Sequence, residues 1–242
     1  MKLGLIKTSY QKEACACPPK QNWRVLRDAK VVAVEAARLI EAAAAEAIAS
    51  RGRFRLVLAG GSTPEAAYRL LASRECDWKR WELFYGDERC LPPRHGERNS
   101  RLVGTALLSS INQDGPRVFP IPAELGAEQA AIIYTERVAA AVPFDLVLLG
   151  VGEDGHTASL FPGQPLDVNA WVVAVHGAPK PPPERVSLSM RALRCSNQIL
   201  VLATGSGKGE ALRRWRRGEA LPIARVCQGL RVSVLLDEDA KP

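Results

Sequence analysis

His156 stands two residues after Asp154 in the stretch Gly150-Val151-Gly152-Glu153-Asp154-Gly155-His156. An imidazole beside a carboxylate on a glycine-rich turn has the makings of a general base that works near neutral pH. The competing reading is a loop histidine hydrogen-bonded for structural reasons. The chain holds only 3 His, and the placement of this one in a glycine loop favours proton transfer. Gly60-Gly61-Ser62-Thr63-Pro64 offers backbone N–H groups and two hydroxyls at the start of a helix, an arrangement suited to phosphate. It is equally readable as a β-to-α turn that uses Gly for positive φ and Ser or Thr as a cap. Gly205-Ser206-Gly207-Lys208 repeats the arrangement and adds a cation. It is not a Walker A loop, because Leu202 occupies the first glycine position and Gly209 replaces the Ser or Thr that would hold magnesium. Arg89, in Gly86-Asp87-Glu88-Arg89, adds a fork for a bidentate anion contact. Each loop alone has a bland reading, but three anion-friendly loops around one histidine form the main functional signal.

Gly150 to Gly155 also spells G-x-G-x-x-G after a strand. The dinucleotide reading fails on chemistry, since Glu153 and Asp154 would lie beside the pyrophosphate. The next strand ends at His176 and lacks the acid that should hold a ribose. No nicotinamide cofactor is expected at this loop. G-x-S-x-G is absent from the sequence, so hydrolysis would use water activated by a base and not a serine nucleophile.

These loops need strands to carry them. Asp28 caps a helix that runs through Ile48 and stops at Gly52. Phe54 to Ala59 reads as a strand that breaks into the first glycine turn, and Pro64 suits the first turn of a helix to Ser73. Further strands are expected at Trp81–Tyr85, around Val118, at Phe144–Leu149, Trp171–Val175, Arg185–Ser189, Gln198–Ala203 and Leu230–Leu236. Helices are expected at Asn99–Leu108, Glu128–Ala141 and Lys208–Arg217. Strands that alternate with helices, several of them apolar throughout, imply an α/β fold. The expected form is a Rossmann-like doubly wound, mostly parallel sheet with helices on both faces, in one domain. In such sheets ligands bind beyond the carboxyl ends of the strands, where the polar loops lie. Residues 1–22 read as an N-terminal extension and 23–242 as the α/β domain, with Pro179–Pro183 a stiff local loop and not a linker.

The 242 residues carry a formal charge of +7 and 6% aromatics. That charge favours anionic partners in general, but the few aromatics give single-stranded nucleic acid little to stack on. Arg213, Arg214, Arg216 and Arg217 read as the solvated end of a helix, so no nucleic-acid partner is expected. The six cysteines, Cys15, Cys17, Cys76, Cys90, Cys195 and Cys227, form no C-x-x-C pair and no zinc spacing. Reduced thiols and no metal are expected. No apolar run reaches the ~18 residues of a membrane span, and Leu3–Ile6 is too short for a signal peptide core. The expectation is a soluble cytoplasmic protein without a membrane partner, monomeric or weakly dimeric.

The chain resembles the 6-phosphogluconolactonases. The resemblance rests on Leu58-Ala59-Gly60-Gly61-Ser62-Thr63-Pro64, on Gly86-Asp87-Glu88-Arg89, and above all on Leu149 through Gly163, which reads LGVGEDGHTASLFPG. Arg185-Val186-Ser187-Leu188-Ser189 and Thr204–Lys208 also match, and the similarity runs from about residue 23 to 236. Glu97-Arg98-Asn99-Ser100 departs from the pattern, which usually has Ser before that Asn and Tyr after it. The resemblance implies hydrolysis of 6-phospho-D-glucono-1,5-lactone without a cofactor. It further implies that His156 handles protons beside Asp154. Arg89 and Lys208 are then the phosphate or carbonyl-side cations, with Gly61, Ser62, Thr63, Asp87 and Asn99 as further substrate contacts. Glucosamine-6-phosphate deaminases share the fold and a similar loop, which runs on through Phe-Asn-Glu-Pro to give the His an acid partner. Here Leu160-Phe161-Pro162-Gly163 holds no acid. Sugar-phosphate sensors on the same fold carry a helix-turn-helix segment, for which residues 1–22 are not expected to leave room.

Overall fold

Asp28 and Gly52 bracket α1 (Ala29–Arg51). Asp28 Oδ1 accepts the Val31 N–H at 2.9 Å, and Gly52 takes φ 73° while donating to Ile48 O. Val32, Ala36, Ile40, Ala44 and Ala47 form its buried stripe, at the spacing that keeps side chains on one helix face. These details come from a computed structural model that describes residues 21–111, 114–165 and 169–242. Before α1 lies β1 (Gln21–Leu26), and after it come β2 (Phe54–Leu58), α2 (Ser62–Ala72), β3 (Trp81–Tyr85) and β4 (Asp87–Arg89). The chain continues through α3 (Asn99–Ala106), β5 (Arg117–Phe119), α4 (Ala127–Ala141), β6 (Phe144–Gly150), β7 (Val172–Val175) and β8 (Arg185–Leu188). It closes with α5 (Met190–Arg194), β9 (Ser196–Ala203), α6 (Gly209–Arg216), α7 (Pro222–Cys227) and β10 (Val232–Asp237).

Seven strands form one sheet in the order β1-β10-β9-β6-β2-β3-β5, and every pairing is parallel. Phe144 to Leu149 on β6 are all buried, as expected for a central parallel strand covered on both faces. From β2 the chain proceeds to β3 and β5 on one side, and from β6 to β9 and β10 on the other. The strand order therefore reverses between the adjacent β2 and β6. Such a switch point leaves a crevice beyond the strands' carboxyl ends. The two glycine loops Gly60–Pro64 and Gly150–His156 begin there.

The sequence reading differs from the fold at several places. β1 pairs with β10 in register Gln21↔Val232 to Leu26↔Asp237, so the sheet includes Gln21 and Asn22, which the sequence assigns to the extension. Two short helices, α5 and α7, also went unread. β7 and β8 do not join the main sheet. With β4 they form a separate antiparallel sheet in the order β4-β8-β7. The connection 176–184 accounts for the antiparallel pairing of β7 with β8, because parallel pairing needs a crossover of roughly a dozen residues or more. A shorter link turns the chain back antiparallel.

One buried side chain ties the fold to the first glycine loop. Tyr68 of α2 is 0% exposed, and its hydroxyl accepts the Ala59 N–H and donates to Ala59 O, both at 2.9 Å. Ala59 is the residue between β2 and Gly60. Tyr68→Phe is expected to strip both main-chain groups of their partner and to lower stability by ~1–3 kcal/mol. Urea denaturation with an unchanged m-value reads that loss.

Candidate active site

The turn after β6 is built around His156. Gly152 N–H donates to His156 O at 2.8 Å and Gly155 N–H to Gly152 O at 3.0 Å, which folds the loop back on itself. Asp154 Oδ1 then accepts the His156 N–H at 3.1 Å and lies 2.5 Å from the ring nitrogen Nδ1. A β-carbon at Gly152 would stand 1.9 Å from that Nδ1 and 2.6 Å from Asp154 Oδ1. Glycine is required here by close approach. The same turn uses the Gly152 and Gly155 N–H groups internally, and Val151–Gln164 opens no helix. A G-x-G-x-x-G dinucleotide site needs the opposite, N–H groups free at a helix N-terminus.

Electrostatics set the two members of the pair apart. Burial pulls His156 below its ordinary pKa, against the opposing pull of the Asp154 hydrogen bond and charge. Burial also acts to raise Asp154, but the hydrogen bonds from the His156 backbone and ring prevail and its pKa falls. At neutral pH the site therefore holds a carboxylate and a neutral imidazole. Asp154 assigns the ring proton to Nδ1, which leaves Nε2 as the basic nitrogen. Phe161 packs on the ring with centroids 4.7 Å apart.

His156 lines a cavity of about 320 Å³ at the carboxyl ends of β2 and β6, whose walls include Leu58–Gly61 and Leu148–Gly152. Arg89, Lys180, Arg185 and Lys208 bring cations to it. Burial lowers the pKa of both Arg185 and Lys208, so an anion that restores their charge balance is favoured in this space.

Asp87 lines the same cavity and is nearly buried, which raises its carboxyl pKa despite the hydrogen bond from Ser159. Ser159 Oγ donates to Asp87 Oδ2 at 2.7 Å, and Asn99 Nδ2 donates to Oδ1 at 3.0 Å and to the Asp87 carbonyl at 2.9 Å. These bonds pin the His156 loop and the start of α3 to β4. Glu88 faces away and caps α3, accepting N–H groups from Asn99 at 2.7 Å and Ser100 at 2.8 Å. The unusual Arg98 is 3% exposed and pairs with Glu124 at 2.8 Å and with Glu88 at 3.4 Å. It also donates to Ile121 O at 2.9 Å. Arg98 thus serves the scaffold, and Asn99 keeps its place on the cavity wall.

Of the residues singled out from sequence, Gly61, Asp87, Arg89, Asn99, His156 and Lys208 meet on this wall, and Asp154 stands behind His156. Ser62 and Thr63 do not line it. They open α2, and Thr63 Oγ1 sits 2.6 Å from Thr204 Oγ1, joining two loops to each other. The sequence reading missed Lys180 and Arg185. Arg185 is 5% exposed and donates to the carbonyls of Lys180 at 2.8 Å, Pro181 at 3.1 Å and Pro182 at 3.1 Å. It therefore holds the proline loop that carries Lys180. The available signal was a lysine inside a stiff loop with an arginine just beyond it. Among the described residues, no group of three or more His, Cys, Asp or Glu is placed to hold a metal ion, and no helix is long and apolar enough to cross a membrane. Cys76, Cys90, Cys195 and Cys227 are free thiols; Cys15 and Cys17 lie outside the described residues.

The fold and site define a doubly wound α/β protein with a cationic pocket around a His–Asp pair. Residues 27–234 match the family model of glucosamine-6-phosphate isomerases/6-phosphogluconolactonase, and the chain belongs to that family. The 6-phosphogluconolactonase of Streptomyces coelicolor is 39% identical over 208 residues, which cover 78% of this chain and 80% of that protein. The 6-phosphogluconolactonase of Rattus norvegicus is 38% identical over 213 residues, covering 82% and 80%. Among solved structures, the 6-phosphogluconolactonase of Trypanosoma brucei superposes with a TM-score of 0.82 at 27% identity, covering 91% of this chain and 97% of that one.

Proposed function

We propose that this chain hydrolyses 6-phospho-D-glucono-1,5-lactone to 6-phospho-D-gluconate, the second step of the oxidative pentose phosphate route. The observation that carries the reading is the His156–Asp154 pair on the wall of a cavity lined by cations. Names of relatives at 38–39% identity support it.

His156 Nε2 takes a proton from water as the water oxygen bonds to the lactone carbonyl carbon. The tetrahedral intermediate carries its negative charge on the former carbonyl oxygen, within a site already rich in positive charge. The carbonyl re-forms as the bond from carbon to ring oxygen breaks, and His156 returns its proton to that leaving oxygen. Asp154 stabilises the imidazolium between the two transfers and holds the ring in one tautomer. Gly60 and Gly61 line the cavity at the start of α2, where the positive end of that helix supports binding of the substrate's anionic part. The substrate is a small anionic molecule, and neither nucleic acid nor membrane enters the reading.

Purified protein is expected to accelerate lactone hydrolysis above the spontaneous rate, followed with 6-phosphogluconate dehydrogenase as reporter. Ammonia release from glucosamine 6-phosphate without lactone turnover would replace this reading with deamination. Arg89→Ala and Lys208→Ala should each raise KM for the phosphorylated lactone about ten- to a hundredfold, the scale of a lost charge-assisted contact. KM for unphosphorylated gluconolactone should move far less. Equal shifts on both substrates would show that neither cation reads the phosphate.

A further inference from the structure

The mechanism leaves one charged residue of the glycine loop unused. Glu153 extends from the turn after β6 toward the loop that precedes α6. Its Oε1 lies 3.0 Å, and its Cγ 3.5 Å, from the point a β-carbon on Gly207 would occupy. The side chain thus rests on bare backbone next to Lys208. Its other oxygen, Oε2, is 4.0 Å from Lys180 Nζ. Lys180 and Lys208 line the cavity, whereas Glu153 is not among its lining residues and keeps 64% of its side chain exposed. One carboxylate at the mouth therefore lies near Lys180 and against the backbone that leads into Lys208, two lysines delivered by separate loops.

We propose that Glu153 is the resident counter-ion of Lys180 and Lys208, displaced when a phosphoryl group binds, and that it limits how tightly the site holds multiply charged anions. The inference rests on the lactonase reading and deepens it. Two ammonium groups sharing a cavity repel one another unless an anion stands between them. Lys208 feels this directly: burial lowers its pKa first, Lys180 lowers it further, and Glu153 opposes both. A phosphoryl group brings a charge of about −1.5 to −2 and three acceptor oxygens, which outmatch one carboxylate for the same partners. Once displaced, Glu153 remains tethered at the mouth and opposes whatever anion has replaced it. The opposition is greater for the product, which has gained a carboxylate, than for the lactone. Glu153 thereby favours release of product over retention.

The test is calorimetric binding of 6-phosphogluconate to wild type and Glu153→Gln, with gluconate as the unphosphorylated control. Glu153→Gln should bind 6-phosphogluconate about two- to fivefold more tightly, the scale of an exposed charge interaction. The gain should shrink toward nothing in ~1 M salt, where the screening length falls to about 3 Å. It should also shrink in a Lys180→Met background, because the two changes act on one charge pair. Unchanged or weaker binding by Glu153→Gln overturns the counter-ion assignment. Lactone hydrolysis by the wild type is read separately. A protein that shows the Glu153 effect but does not hydrolyse the lactone overturns the functional reading alone. Absence of 6-phosphogluconate binding to both proteins overturns both.

Discussion

His156→Ala is expected to lower kcat for lactone hydrolysis by ~10²–10⁴-fold, the usual contribution of a positioned general acid–base group. The fold should persist, because the ring makes one side-chain hydrogen bond, to Asp154, and packs on Phe161. Circular dichroism and a thermal melt close to wild type would show that the loss is chemical. The wild-type pH profile carries the same assignment. The proposed mechanism needs the neutral imidazole, so kcat/KM should rise with pH through the His156 pKa and level off above it. Burial holds that pKa below its ordinary value of 6.5, which puts the rise on the acid side and leaves a plateau at neutral pH. In Asp154→Asn the opposing carboxylate is gone, so the pKa should fall further and the acid limb should move to lower pH. Wild-type turnover in a folded His156→Ala protein would remove this histidine from the mechanism.

Gly152→Ala should be nearly as damaging, although it adds only a methyl group and alters no ionisable residue. The new carbon would stand 1.9 Å from His156 Nδ1, well inside contact distance, so the ring must leave its place against Asp154. Without that partner the imidazole loses both its fixed tautomer and its aim. A misplacement of ~1 Å can cost on the order of a hundredfold in rate, and a loss of at least that size is expected. Stability should change little, because Gly152 does not use positive φ and the clashes are with the ends of the His156 and Asp154 side chains and not with backbone. The two effects should not add, since in a His156→Ala background the methyl has no ring to displace. The single and double variants, assayed side by side, report this directly. Near-wild-type kcat in Gly152→Ala would mean that catalysis does not depend on the His156–Asp154 contact.

Legibility of these features in the sequence depends on the range of the interactions involved. The α1 limits were legible because a cap is local: Asp28 reaches a backbone N–H three residues on, and Gly52 supplies a left-handed φ at the end. β6 was legible because an unbroken apolar run fits a doubly covered strand. β1 was not, because Gln21-Asn22-Trp23-Arg24 mixes polar with apolar residues. That segment is a strand through its pairing with β10, more than two hundred residues later. Arg98 departs from the family pattern beside Asn99, and its buried contacts with Glu88, Glu124 and Ile121 show that it braces the scaffold.

The sequence by itself determined that His156 and Asp154 meet within one glycine turn. The spacing Asp154-Gly155-His156 and the glycine before it permit a base and its orienter within one turn, and contacts that short in sequence need little help from the rest of the chain. The sequence also determined that strands would deliver glycine loops to a common edge, since the alternation of apolar strands and helices leaves few other arrangements. Tertiary structure decided which cations line the cavity and which hydroxyls turn away. Lys180 and Arg185 reach the cavity because β8 pairs with β4 in the register Asp87↔Ser187, and no local pattern encodes a pairing between segments about a hundred residues apart. Thr63 is drawn toward Thr204 by the approach of two loops across the sheet. Side chains adjacent in sequence share a backbone that fixes their geometry, whereas these depend on how a whole sheet is assembled.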